Sequence, residues 1–159
     1  LGPIEITVSY YDEFKQTLME LYDMKPMIEE ENVTLLEVGK GGNGGQVILR
    51  KDEGVQSRPG YGQVHHVSFR VEDDDALNSW FEKYNQLGVS SSGIVDRFYF
   101  KALYTRIGHV LIELSTDGPG FAGDEPYETL GESLSLPPFL ENQRDYIESE
   151  IREFDTTRS

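Results

Sequence analysis

Apolar and polar positions along this chain run through the same succession of patterns twice. Ile4, Ile6 and Val8 alternate with Glu5 and Thr7, as in a strand with one buried face. Residues 11–24 carry Phe14, Leu18, Leu21 and Tyr22 at helical spacing. Met24-Lys25-Pro26 predicts the end of that helix, because a residue before proline avoids the helical region. Strands are predicted near 26–30, 33–38 and 46–51. Gly41-Gly42-Asn43-Gly44-Gly45 turns between the last two, and Asn-Gly is a hairpin signal. Residues 52–63 read as a linking loop. The order then returns. Val67, Phe69 and Val71 predict a strand, and Asp73, Asp74 and Asp75 open a helix, where carboxylates meet free backbone N–H groups. Ala76, Leu77, Trp80, Phe81, Tyr84 and Leu87 form its apolar face, and Gly88 stops it. Strands are predicted near 89–94, 97–105 and 109–115.

A shift of 63 positions superimposes the halves without a gap. Pro3–Val8 falls on His66–Val71, and Phe14, Leu18, Leu21 and Met24 fall on Leu77, Phe81, Tyr84 and Leu87. Gln46–Arg50 falls on His109–Glu113. A repeat at fixed spacing is a structural unit used twice. The fold expected is therefore α+β: two β-α-β-β-β modules, each about 50 residues long, whose sheets together form a half-open barrel with helices outside. The first module is assigned to 1–55, the second to 56–116, and a C-terminal extension with a helix to 117–159. The extension has Gly118-Pro119-Gly120-Phe121 and Leu134–Leu140, then a predicted helix over 140–154 on Leu140, Tyr146, Ile147, Ile151 and Phe154. Residues 155–159 are expected to fray.

Composition narrows the function classes. The 159 residues amount to one domain, 37% hydrophobic and 27% charged. No apolar run approaches the roughly 20 residues of a membrane span, and no signal-peptide pattern opens the chain. The net charge of −15 argues against nucleic acid and anionic membranes as partners. The absence of cysteine excludes disulfides and thiolate metal sites, and a cytoplasmic setting is natural for it. The opening Leu1-Gly2-Pro3 is that expected of a domain cut from a longer protein, or of a chain lacking processed residues.

Chemistry distinguishes the two halves. Where the first has Pro3 and Arg50, the second has His66 and Glu113. An imidazole and a carboxylate suit a divalent first-row metal. Two histidines and a carboxylate with open positions make the facial arrangement of non-haem Fe(II) oxygen chemistry. The plainer alternative is an exposed histidine and a strand glutamate paired with a cation. Glu113 interrupts Val110-Leu111-Ile112-Leu114, where a charge needs a partner. His65 is expected to pack or to support rather than to ligate, because neighbouring strand residues face opposite sides. Gly39–Gly45 lacks the order of a phosphate loop, and nothing supports a nucleophilic triad.

Gln63-Val64-His65-His66-Val67-Ser68-Phe69-Arg70-Val71 resembles the opening of a module in the vicinal oxygen chelate superfamily (glyoxalase, bleomycin-resistance and extradiol dioxygenase proteins). Val95–Phe100, Leu103–Arg106, Leu111–Phe121 and Leu136–Leu140 resemble the C-terminal domain of its hydroquinone-type ring-cleaving dioxygenases. The resemblance implies a four-module protein whose metal is held by one His of the first module and a His and a Glu of the last. By position the last two are His66 and Glu113, while Arg97 and Tyr104 match residues lining the substrate side. Their plainer readings are a surface ion pair and a packed strand tyrosine. The implied cofactor is Fe(II), with Mn, Zn or Ni as alternatives. The implied partners are a small aromatic substrate and O₂, together with the missing N-terminal domain or a second copy of the chain, as in a homodimer. Two departures stand out. The turn Arg106-Ile107-Gly108-His109 is about one residue shorter than the family's usual form, and the module bearing the other His is absent. The chain alone is therefore expected to be inactive and largely metal-free. A glyoxalase-like isomerase or lyase, and a non-catalytic binding module, are the alternatives.

Overall fold

The computed structural model describes residues 2–54 and 60–152, and the elements follow the expected order. The first module has strands β1 (Ile4–Val8), β2 (Lys25–Glu30), β3 (Val33–Glu37) and β4 (Gln46–Lys51), with helix α1 (Tyr11–Tyr22) after β1. Its sheet order is β1-β4-β3-β2. β1 lies parallel to β4, with Ile4 opposite Val47 and Val8 opposite Lys51. A parallel pair needs a long crossover, and α1 with the β2–β3 hairpin provides it. Phe14, Leu18 and Leu21 of α1 are buried with Leu36, Val47 and Leu49 of the sheet. Thr34 is fully buried in the same core, where the Tyr11 hydroxyl satisfies its side chain. The helix ends earlier than proline alone predicts. Asp23 turns left-handed at φ 56°, and Met24 N–H donates back to the Leu18 carbonyl at 3.2 Å.

The second module has β5 (Val67–Val71), helix α2 (Asp74–Leu87), β6 (Ser91–Asp96), β7 (Lys101–Ile107) and β8 (Val110–Thr116). Its order, β5-β8-β7-β6, is that of the first sheet. The fold is thus α+β, two β-α-β-β-β modules with open four-stranded sheets, followed by a helical tail. The Asp73 carboxylate caps α2 by accepting from Ala76 N–H at 2.9 Å, and Gly88 closes it at φ 68°. Leu77 and Tyr84 are its fully buried side chains, while Leu87, assigned to the apolar face, is 59% exposed.

Two expectations need correction, the start of the strands around residue 97 and the length of the tail helix. β7 begins at Lys101, not near 97, because residues 97–100 form a bend. There Phe98 takes φ 70°, the Asp96 carboxylate accepts from Phe98 N–H at 2.7 Å, and Arg97 N–H donates to the Phe100 carbonyl at 2.8 Å. β6 correspondingly starts at Ser91. The glycine-rich turn falls where expected: Asn43-Gly44 occupies one turn, closed by Gly45 N–H to the Gly42 carbonyl at 2.9 Å, within a connection over 38–45. The predicted helix over 140–154 is shorter. A 3₁₀ turn covers Pro138–Gln143 and helix α3 covers only Arg144–Glu150. Tyr146 and Ile151 remain exposed, so little apolar burial supports a longer helix. Phe154, residues 155–159 and positions 55–59 of the linking loop lie outside the described residues.

The chain forms two compact units, residues 1–69 with 105–113, and 70–104 with 114–159. In the first, Tyr10 clamps the short turn between β7 and β8. Its hydroxyl donates to the Ile107 carbonyl at 3.1 Å and accepts from His109 N–H at 2.7 Å. Gly108, at φ 57°, has no room for a Cβ beside the Tyr10 ring. In the second unit, Lys101 pairs with Asp74, and Arg70 with Asp117 through two of its guanidinium nitrogens.

The clamp predicts that Tyr10→Phe lowers the urea unfolding free energy by about 1–2 kcal/mol, the value of one or two hydrogen bonds. Gly108→Ala should cost at least as much, since it combines a disfavoured φ with a collision.

Candidate functional site

Glu113 lies in β8 between Ile112 and Leu114, and all three are buried, Glu113 with 2% of its surface exposed. An ionised carboxylate in such a place is costly unless it is partnered. His66 is its partner: the imidazole Nε2 stands 2.7 Å from Glu113 Oε2. His66 directly precedes β5, and β5 and β8 are neighbours in the sheet. Adjacent strands therefore bring together two residues remote in sequence. Arg70 and Asp117 lie the same 47 positions apart and also meet. A constant separation is what parallel neighbours produce.

A third side chain completes the chain of hydrogen bonds. His65 Nδ1 lies 2.9 Å from His66 Nδ1, with the rings edge to face at 5.2 Å. The expectation that His65 and His66 face opposite ways fails because both precede β5, where strand alternation does not yet apply. The chain His65–His66–Glu113 fixes the His66 ring at both nitrogens. Either nitrogen can carry the proton, according to what Nε2 faces.

The donor set fits a divalent first-row metal as two of its ligands. One imidazole nitrogen and one carboxylate oxygen at about 2.1 Å from a metal would stand about 3 Å apart in adjacent positions, close to the 2.7 Å found. Among the described residues no group of three His, Cys, Asp or Glu side chains could hold a metal ion. The equivalent place in the first module is filled differently. Pro3 is exposed, and Arg50 forms a two-pronged ion pair with Glu5 at 2.9 and 3.1 Å. That guanidinium holds the Glu5 carboxyl below its ordinary range by hydrogen bonding.

Arg97 and Tyr104 are also brought together. Arg97 Nε donates to the Tyr104 hydroxyl at 3.2 Å, and the guanidinium lies 5.2 Å from the ring centroid. Tyr104 N–H donates to Ser92 Oγ at 3.0 Å, which ties β7 to β6 beside this pair. The sequence reading missed Tyr10, Tyr99 and the Arg70–Asp117 pair. Only the last carried a signal: its spacing equals that of His66 and Glu113.

No protein-family model matches the chain. Among solved structures, a crystal structure of a "putative dioxygenase" from Bacillus subtilis subsp. subtilis str. 168 superposes with a TM-score of 0.90 at 30% identity, over 99% of this chain and 51% of that one. A glyoxylase/bleomycin resistance protein/dioxygenase domain from Frankia sp. EAN1pec shares the fold, with a TM-score of 0.61 at 17% identity over 73% of this chain and 95% of that one. The chain belongs to the vicinal oxygen chelate superfamily, the glyoxalase/bleomycin-resistance/dioxygenase group. It is similar in sequence to "Putative ring-cleaving dioxygenase MhqA" of Bacillus subtilis (strain 168), with 40% identity over 159 residues, 96% of this chain and 50% of that one. It is also similar to the chlorohydroquinone/hydroquinone 1,2-dioxygenase of Sphingobium indicum, at 31% identity over 89% of this chain and 45% of that one. The chain spans about half the length of the curated relatives it matches. No helix among the described residues is long and apolar enough to cross a membrane.

Two outcomes follow from the geometry. His66→Ala removes the imidazole from the buried Glu113 carboxylate and should cost about 1–3 kcal/mol in urea unfolding. His66→Ala/Glu113→Leu should recover most of it, because an apolar side chain suits that core position. The second outcome concerns pH. Asp117 is held below its ordinary 3.8 by the hydrogen bond from Arg70, and Glu5 below 4.5 by that from Arg50. A carboxyl depressed by folding stabilises fully above its unfolded value and loses that contribution as pH falls through its folded one. The urea midpoint should therefore decline below about pH 4, and Arg70→Gln should flatten part of that decline.

Proposed function

We propose that this chain is the C-terminal half of a metal-dependent dioxygenase that opens hydroquinone- or catechol-type aromatic rings with O₂. The observation that carries the reading is the buried Glu113 carboxylate held 2.7 Å from His66 Nε2. A buried carboxyl is costly without a partner, and His66 offers a metal-competent nitrogen beside it. The names of the relatives support the substrate class. In this reading His66 and Glu113 are two of three metal ligands, and His65 fixes the His66 ring through Nδ1. Bound there, Fe(II) would supply adjacent open positions for a substrate oxygen and for O₂.

The remaining roles fall to this chain's own side chains. Arg97, permanently charged, stabilises negative charge on a substrate oxygen. Tyr104 donates a hydrogen bond or proton from its phenol, and the Arg97 Nε bond orients that hydroxyl. Two ligands leave an ion mostly solvent-coordinated, and Arg50 and Pro3 supply no third. Turnover therefore requires a histidine from another module or a second copy of the chain.

The test is oxygen uptake with hydroquinone, chlorohydroquinone and catechol after anaerobic Fe(II) loading. The isolated monomer should show none. Combined with the part of MhqA that this chain does not match, it should show uptake that His66→Ala and Glu113→Gln each abolish. Uptake by the monomer, or uptake surviving His66→Ala, would overturn the ligand assignment.

A further inference from the structure

The bend between β6 and β7 holds Arg97 in an unusual frame. Both backbone groups of Arg97 are used within the bend: its N–H donates to the Phe100 carbonyl at 2.8 Å, and its carbonyl accepts from Tyr99 N–H at 2.9 Å. Phe98, the next residue, takes φ 70°, a conformation that a bulky residue keeps only where its surroundings over-determine it. The Asp96 carboxylate on Phe98 N–H is one such constraint. The others come from the C-terminal extension, and most of them arrive through Tyr99. Its carbonyl accepts from Gly120 N–H at 2.8 Å. Its hydroxyl donates to Asp124 Oδ2 at 2.8 Å and is hydrogen-bonded to Ser135. Its ring lies against Phe121 at 5.3 Å, and the Phe100 ring meets the same Phe121 at 6.1 Å.

We infer that Tyr99 is a positioning residue for Arg97, through which the extension after β8 braces the β6–β7 bend. The inference rests on the reading that Arg97 meets the substrate, and it gives the extension a role there. Residues 120–135 hold Tyr99 by its carbonyl, ring and hydroxyl. Tyr99 and Phe100 hold the backbone of Arg97, and the Arg97 side chain is then presented to Tyr104 at 3.2 Å. Neither Tyr99 nor the extension needs to touch the substrate for this. A bend released from the extension would let Phe98 relax to negative φ and carry the Arg97 guanidinium off the Tyr104 hydroxyl.

The test uses the full chain and reads Arg97 directly. Arg97→Lys assigns the Arg97 Nε–H signal in the nitrogen–proton NMR spectrum. Tyr99→Phe then removes the phenol while keeping the ring on Phe121. Asp124→Ala/Ser135→Ala breaks the same bonds from the side of the extension. In both, exchange of the Arg97 Nε–H with water should accelerate by about fivefold, as expected when a hydrogen bond of ordinary strength is weakened. The rest of the spectrum should remain native. An unchanged Arg97 signal in folded Tyr99→Phe overturns the inference, and so does a response to Tyr99→Phe that the double variant lacks. The reading beneath it is tested separately, by hydroquinone affinity of the Fe(II)-loaded two-part assembly. Undiminished affinity in Arg97→Lys would remove the substrate role of Arg97, and with it the purpose of the brace, whereas the NMR result decides the brace itself.

Discussion

The pairing of the first strand of each module with its last is the constraint on which the rest of the molecule depends. β1 runs parallel beside β4, and β5 is the neighbour of β8. Parallel neighbours cannot be joined by a tight turn, so a helix and a hairpin must intervene. Residues more than 40 positions apart are thereby set side by side, and three charged pairs along these strands are of that kind: Glu5 with Arg50, His66 with Glu113, Arg70 with Asp117. A change at one end of a module is felt at the other. The same topology that closes the core also defines where a two-residue site can be built.

One scaffold carries two different uses of that place, and burial separates them. The Arg50–Glu5 pair is half-exposed on both sides. Pairs of that kind contribute about 0–1 kcal/mol and are readily replaced. Glu113 is buried, its side chain 3% exposed, while His66 opposite it is 36% exposed. There the cost of leaving the carboxylate alone exceeds what a surface pair contributes. The arrangement favours a partner that approaches from the solvent side, through the imidazole. An asymmetric pair, with one member anchored in the core and the other reachable, is compatible with the proposed role as metal ligands.

Much of this was legible in the alternation of side chains. The repeat placed β1 and β5 to the residue, since Ile4–Val8 shifted by 63 is Val67–Val71. It also placed Leu49 and Ile112 in matching core positions. The middle of the modules was not legible, because differences in length cancel there. The bend before β7 is longer than the β2–β3 turn, and the β7–β8 turn is shorter than the glycine-rich connection over 38–45. An ungapped match conceals both. His65 misled because alternation was applied to two residues that precede the strand. The tail helix was overextended because spacing alone cannot tell a buried apolar face from one left exposed, as Tyr146 and Ile151 are. Tyr10 and Tyr99 gave no signal at all, since a tyrosine that hydrogen-bonds a distant backbone looks, in sequence, like any aromatic residue near a turn.

Likeness of fold does not by itself select the chemistry here. The β-α-β-β-β pair is a frame that can carry unlike reactions. What differs among such proteins must lie in the side chains lining the shared frame and in what is attached to it. In this chain the attachment is the extension after β8, which is absent from the repeated unit and has no counterpart after β4. Its hydrogen bonds go back to the β6–β7 bend, at the carbonyl and hydroxyl of Tyr99. A bend whose own residues include a left-handed Phe98 carries a local backbone cost. Its internal hydrogen bonds offset part of that cost and the extension braces it further, so the second module acquires through its tail a braced arginine for which the two-residue β2–β3 turn of the first has no equivalent.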